Sequence, residues 1–359
     1  MIVSADSTLT HPARGWGGIV LPHGRVVGAV QHVIGRLFLR IARLFLPLGT
    51  GDFASNGPLL QRSRGRAEDE ATCSEASFKT SEESINGWPE NGELTAALVT
   101  KLLEPRYRTV RHVGRGAVGQ VWLVLDKKSL CHRVVKLFRY SSHLQELIGV
   151  GARLSMGSAG LIDILGHEKS GDGAFIWYFM PAADDLGGFP DIVPGIYIPC
   201  TLEKYMARKK ALSVSDCVGI GLELCAALDD LHGNEFVHRD IKPANILRVK
   251  GRWQVADIGL MARIGCPKQV GTPGYIPPEG HGQPDGDIYS LGIVLSQMLN
   301  GGLRLERAKL EAATMAAEGD RRRLMEVALK ATAEASRDRY RSAKALSRKL
   351  RKIQRRLEK

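Results

Sequence analysis

No CxxC pair occurs anywhere in this 359-residue chain, although it has six cysteines. Cys73, Cys131, Cys200, Cys217, Cys225 and Cys266 are scattered, which excludes thiolate metal-ligand spacing and a dense disulfide framework and fits a reducing compartment. Aromatic residues are few, at 6%. No aromatic stacking, homeodomain or zinc-finger pattern accompanies the basic residues, so nucleic acid is not an expected partner. There is no internal repeat, no apolar stretch free of charge that would span a bilayer, and no secretory signal with a clear cleavage site. What is present is globular in kind: 44% hydrophobic and 25% charged residues, with a formal net charge of +12 that favours an acidic or phosphorylated partner.

The first hundred residues differ from the rest. Residues 26–46, "VVGAVQHVIGRLFLRIARLFL", are apolar but interrupted by Arg36, Arg40 and Arg43, and Pro47 ends the run. The spacing predicts an amphipathic helix in the extension 1–48, covering a membrane surface, a partner's groove or a face of its own protein. Residues 49–100 are rich in Gly, Ser, Glu and Arg with little apolar periodicity, and are expected to be a flexible, partly disordered linker. From residue 105 the pattern changes. "YRTVRHVG", "GQVWLVLD", "HRVVKLF", "LIDILGHE" and "AFIWYFM" predict strands. "TLEKYMARK", "SVSDCVGIGLELCAALDDLHG" and "DIYSLGIVLSQMLNG" predict helices, followed by basic helices to a tail at 351–359. The expected class is α+β, a small β-rich lobe followed by a larger helical one with a cleft between them.

Three segments carry chemistry. "GRGAVGQV" places Gly114, Gly116 and Gly119 in a turn whose backbone N–H groups can approach phosphates. A strand follows it rather than a helix, which argues against dinucleotide binding. Lys136 lies 17 residues beyond Gly119 on the next strand, and could reach the same phosphates. Glu146 is the only acidic residue between Lys136 and Asp163, and is the expected partner that fixes its direction. "FVHRDIKPANIL" holds Asp240, Lys242 and Asn245 together, where Asp240 could accept an alcohol proton and Lys242 could neutralise a transferring phosphoryl group. Twelve residues separate Asn245 from Asp257 of "QVADIGL". A hairpin of that length would bring both beside one hard cation such as Mg²⁺.

Taken together and in this order, the segments resemble the eukaryotic-like serine/threonine protein kinases, especially bacterial members, over about residues 107–350. The resemblance implies a two-lobed kinase fold, N-lobe about 105–183 and C-lobe about 184–350, using ATP with Mg²⁺ or Mn²⁺. By likeness, Asp240 orients the hydroxyl, Lys242 and Lys136 act on phosphate, Glu146 fixes Lys136, and Asn245 and Asp257 hold metal. Gly114, Arg115, Gly116, Ala117, Gly119, Val121, Met180, Ala182 and Leu247 would surround the nucleotide. His238 and Arg239 complete the catalytic triplet. Thr272 sits in the substrate-docking turn of "GTPGYIPPE", Arg339 is expected to pair with Glu279, and Asp287 to support the catalytic loop. Departures are Ile258 in place of phenylalanine, Pro181 in the hinge, and a segment between Asp257 and Thr272 with no Ser, Thr or Tyr. That last absence implies activation without phosphorylation there, by constitutive assembly, homodimerisation or membrane recruitment. Expected partners are proteins bearing Ser or Thr, and the expected place is the cytoplasm, including its membrane face. A pseudokinase scaffold that binds nucleotide or partners without turnover is the alternative.

Overall fold

The computed structural model describes residues 94–116, 119–266 and 269–359, all within a compact unit spanning Thr72–Lys359. The expected helix at 26–46, most of the linker and Ala117 lie outside the described residues. Among the described residues no helix is long and apolar enough to cross a membrane.

The N-lobe is a five-stranded antiparallel sheet in the order β1-β2-β3-β5-β4. Its strands are β1 (Tyr107–Arg115), β2 (Gly119–Asp126), β3 (His132–Arg139), β4 (Gly166–Lys169) and β5 (Phe175–Pro181). Side chains alternate between faces with period two. Val135 and Leu137 of β3 therefore join Trp122, Trp177 and Phe179 on one face, while Val134 and Phe138 join Leu123, Ile176, Tyr178 and Met180 on the other. Lys136 belongs by parity to the second face, paired in register with Val121 and Tyr178. A strand buried on both faces reads as a continuous apolar run, and Lys136 is the one charge admitted to its middle.

The first face is covered by α1 (Ala96–Leu103), capped by the Thr95 hydroxyl, which accepts from the Leu98 N–H. Val99 and Leu103 are buried there. The expected linker to residue 100 is thus corrected at its end: residues 96–100 are helical because the outer sheet face needs an apolar cover. The other face receives α2 (Ser142–Ser155), capped by Ser141. "LIDILGHE" is only partly strand. Ile162 and Ile164 are buried in irregular backbone, and Leu161 makes an isolated parallel bridge to Val255, so regular pairing begins at Gly166.

The C-lobe begins with α3 (Leu202–Lys209) and α4 (Val214–Gly233), whose caps Thr201 and Ser213 accept from Lys204 and Asp216 N–H groups. Short strands β6 (Phe236–Val237), β7 (Ile246–Val249), β8 (Arg252–Val255) and β9 (Ala262–Arg263) carry the site loops. Helices α5 (Pro284–Leu299), α6 (Arg307–Ala316), α7 (Gly319–Ala331) and α8 (Ala343–Leu357) follow. α5 is apolar almost all round because it is buried almost all round. α8 turns Leu346, Leu350 and Ile353 inward and its arginines and lysines outward. The basic C-terminal stretch is helical to Leu357, in line with the basic helices expected there, and Ile353 anchors it.

Candidate active site

A cavity of about 290 Å³ lies between the lobes. Its walls include Gly114, Arg115, Gly116, Val121, Lys136, Met180, Asp240, Lys242, Asn245, Leu247 and Asp257. Gly119 stands behind the wall and closes the loop, its carbonyl accepting from the Gly116 N–H at 2.8 Å. Of the expected hinge residues, Ala182 packs into the N-lobe core, and Ala183 lines the cavity instead. Alternation along the extended hinge decides which of two adjacent alanines faces in, and the sequence offers no cue between them. Val134, Tyr178 and Tyr197 are further lining residues that the sequence reading missed. Val134 could have been found from strand parity with Lys136.

The β7–β8 hairpin returns the chain as its length predicts, with the Ala256 N–H donating to the Asn245 carbonyl at 2.8 Å. Asn245 donates its side-chain nitrogen to the Asp240 carboxylate at 2.8 Å and to the Asp240 carbonyl at 2.9 Å. That leaves the amide oxygen of Asn245 for another partner. Asp240 is 6% exposed, and buried carboxylates must be satisfied. It accepts from the Thr272 hydroxyl at 2.7 Å and pairs with Lys242 Nζ at 2.8 Å, while Lys242 also reaches Thr272 at 2.6 Å. The three side chains form a closed triangle, of which Asp240 and Lys242 line the cavity.

Asp257 has left-handed backbone, φ 72°, which is uncommon for a non-glycine residue. Its carboxylate accepts from the Gly259 N–H at 3.2 Å, an Asx turn. It also pairs with Lys136 Nζ at 2.6 Å. Burial would raise the Asp257 pKa, but the Lys136 ammonium outweighs it and holds the carboxyl below its ordinary value. The expected Lys136–Glu146 pair is corrected here. The buried stripe of α2 is Leu147, Ile148, Val150, Gly151 and Ser155, which turns Glu146 outward to solvent. Ile258, in the position of the usual phenylalanine, packs against the buried cluster that includes Leu147 and Val150 of α2. A Cβ at Gly151 would stand 2.8 Å from Ile258 Cδ1, so the glycine makes room for the branched side chain.

Beneath the site, Asp287 is fully buried and accepts from the His238 and Arg239 backbone N–H groups at 2.8 Å each. His232 at the end of α4 contacts it at 2.9 Å. Burial pushes the Asp287 carboxyl up, but hydrogen bonding and charge from His232 and His238 bring it down to about 2. His232 was not anticipated, because nothing local distinguishes a histidine at a helix end from a solvated one. The Arg239 side chain donates to the Cys266 carbonyl. Arg339, 3% exposed, holds Glu279 with Nη2–Oε2 at 2.8 Å, the pair expected from the sequence.

The donors fit a magnesium ion. Asn245 and Asp257 present an amide oxygen and a carboxylate, hard ligands of the kind Mg²⁺ takes one or two of, completing its shell with water and phosphate. No cluster of three or more His, Cys, Asp or Glu side chains, which would suggest a protein-only metal cage, occurs among the described residues.

A family model described as the protein kinase domain matches residues 194–357. Serine/threonine-protein kinase F of Synechocystis sp. (strain ATCC 27184 / PCC 6803 / Kazusa) is 29% identical over 175 residues, covering 46% of this chain and 35% of that protein. Serine/threonine-protein kinase PrkC of Bacillus subtilis (strain 168) is 25% identical over 218 residues, covering 57% and 32%. The matches thus span about a third of these relatives' length. The crystal structure of the Mycobacterium tuberculosis PknI kinase domain superimposes with a TM-score of 0.50 at 20% identity, over 69% of this chain and 96% of that one, a likeness of fold.

Proposed function

From a kinase domain homologous to several bacterial eukaryotic-like serine/threonine protein kinases, we propose that this chain transfers the γ-phosphoryl group of ATP to serine or threonine hydroxyls of proteins. One observation carries the reading: Asp240 and Lys242, joined in a closed triangle with Thr272, line the same cavity as Lys136, Asn245 and Asp257. Asp240 accepts the proton of the attacking hydroxyl as its oxygen bonds to the γ-phosphorus and the bond to the β-phosphate oxygen breaks. Lys242 lies close enough to Asp240 to offset the negative charge spread over the transferring group. Lys136 orients the phosphates, and the backbone of Gly114 and Gly116 covers them. Asn245 and Asp257 would hold Mg²⁺, which would supply positive charge to offset that of the phosphates. Val121, Met180, Ala183 and Leu247 offer the apolar slot for the base.

The test is autophosphorylation and phosphorylation of a generic protein substrate with Mg-ATP, wild type beside Asp240→Asn. A loss of about 10²-fold or more supports the reading, and equal rates in both proteins sink it. The second reading, a nucleotide-binding scaffold without turnover, is favoured by one observation, the direct Lys136–Asp257 pair with Glu146 turned away. Binding of Mg-ATP with no turnover in wild type would select it.

A further inference from the structure

The docking turn is held rigidly at both ends. Thr272 is tied to Asp240 and Lys242, the Tyr275 N–H returns to the Thr272 carbonyl at 3.0 Å, and the Tyr275 hydroxyl reaches Gln297 of α5 at 2.8 Å. Over the middle of the turn lies an arginine from elsewhere. Arg304, in the loop between α5 and α6, donates Nη1 to the Pro273 carbonyl at 2.8 Å, with its guanidinium 6.0 Å from the Tyr275 ring centre. A side chain at Gly274 would fall on that guanidinium, and Gly274 has φ +87°. The positive φ favours glycine at the turn, and its missing side chain leaves the space in which the exposed guanidinium lies.

Arg304 is exposed and forms no ion pair among the described residues. A guanidinium has five N–H donors in a planar fork suited to a carboxylate, and only one is engaged by Pro273. Lys210, the residue after α3, is also exposed and without an ion pair among the described residues, and its backbone lies near Gly301, three residues before Arg304. The nearby carboxylates are Glu203 of α3, which with Asp240 acts on Tyr275, and Glu306, which is paired with Lys309 at 3.6 Å. An extended chain advances about 3.3–3.6 Å per residue. A peptide presenting its hydroxyl to Asp240 beside Thr272 therefore has residues one to three positions away alongside Pro273 and Gly274, within reach of the exposed Arg304.

We propose that Arg304 is a specificity-determining residue that selects protein substrates with an acidic side chain within three residues of the phosphorylated hydroxyl. This rests on the kinase reading above. The test uses the full chain as wild type, Arg304→Ala, Arg304→Glu and Arg304→Lys. The peptides carry Asp, Ala or Lys at single positions from three before to three after one Ser or Thr. Both kcat/KM and peptide binding by fluorescence anisotropy are measured. At one or more positions wild type prefers Asp over Lys by about three- to tenfold. Arg304→Ala abolishes the preference, Arg304→Glu reverses it, and Arg304→Lys restores it. An Asp-to-Lys ratio that is the same in wild type and Arg304→Glu, in both measurements, overturns the proposal. Reversal in binding with no phosphoryl transfer to any peptide overturns the kinase reading while the acidic-peptide site stands. Transfer without reversal overturns the site alone.

Discussion

Asp287 shows how one buried carboxylate can hold a loop. It accepts from two consecutive backbone N–H groups and contacts His232, with no exposure to water. Its carboxyl, at about 2 when folded against an ordinary 3.8, contributes stability that is complete above the unfolded value and is lost as pH falls through the folded one. The amount is on the order of 2 kcal/mol. Urea midpoints should therefore fall on going from pH 5 toward pH 3, and fall less steeply in Asp287→Asn. At neutral pH that variant is expected to lose about 1–3 kcal/mol, because the amide cannot accept on both sides. An identical acid limb in both proteins would show that Asp287 is not the titrating group. Lys136 is a different case: its partner Asp257 is also a candidate metal ligand, so the proposed role on phosphate requires one ammonium to serve the carboxylate and the phosphates in turn.

At the scale of elements, α1 and α2 press on opposite faces of one sheet. Leu103 of α1 is 3% exposed against the outer face. Leu103→Ala should cost about 2–5 kcal/mol by denaturant unfolding, whereas a solvated linker residue would cost nothing measurable. On the inner face, Gly151 and Ile258 share a space too small for both to be large. Gly151→Val should cost about 1–3 kcal/mol. Much of that should be recovered by adding Ile258→Ala, a coupling that a double-mutant cycle measures. Additive effects would mean the two do not compete. The segment after Ile258 has no hydroxyl before Thr272, and Arg239 donates instead to the Cys266 carbonyl. Phosphatase treatment of active protein is expected to leave its rate unchanged. An essential phosphate mapped to Thr272 would overturn this, since a phosphate there would break its bonds to Asp240 and Lys242.

Across the whole molecule, the cavity joins a lobe that carries Lys136, Gly114 and Gly116 to a lobe that carries Asp240, Asn245 and Asp257. A ligand touching both lobes stabilises both. At a hundredfold excess over Kd the gain is about 2.7 kcal/mol, which for a domain of this size raises Tm by roughly 5–10 °C. Mg-ATP should produce that shift in thermal unfolding, and Lys136→Met and Asp257→Asn should each shrink it. A shift unchanged in both variants would place the nucleotide elsewhere. The comparison also separates the two functional readings, because the scaffold gives the shift without turnover.

Local chemistry alone determined much of this protein. Strand alternation, the Ser and Thr caps at 141, 201 and 213, the strand-loop-strand around Gly114 to Gly119, and the twelve-residue return from Asn245 to Asp257 all depend on neighbours in the chain. They are legible for that reason. What depends on surfaces far apart in sequence was decided only in three dimensions. The outer face of the sheet recruits residues 96–103 into a helix that their composition did not announce. α2 turns by its apolar stripe, which carries Glu146 away from Lys136 and leaves Asp257 as the lysine's partner. His232 finds Asp287 across 55 residues, and Arg304 comes to rest on Gly274 from beyond the end of α5. Such pairs are set by which buried charge or open turn each side chain meets once the lobes are packed, and no local spacing records it.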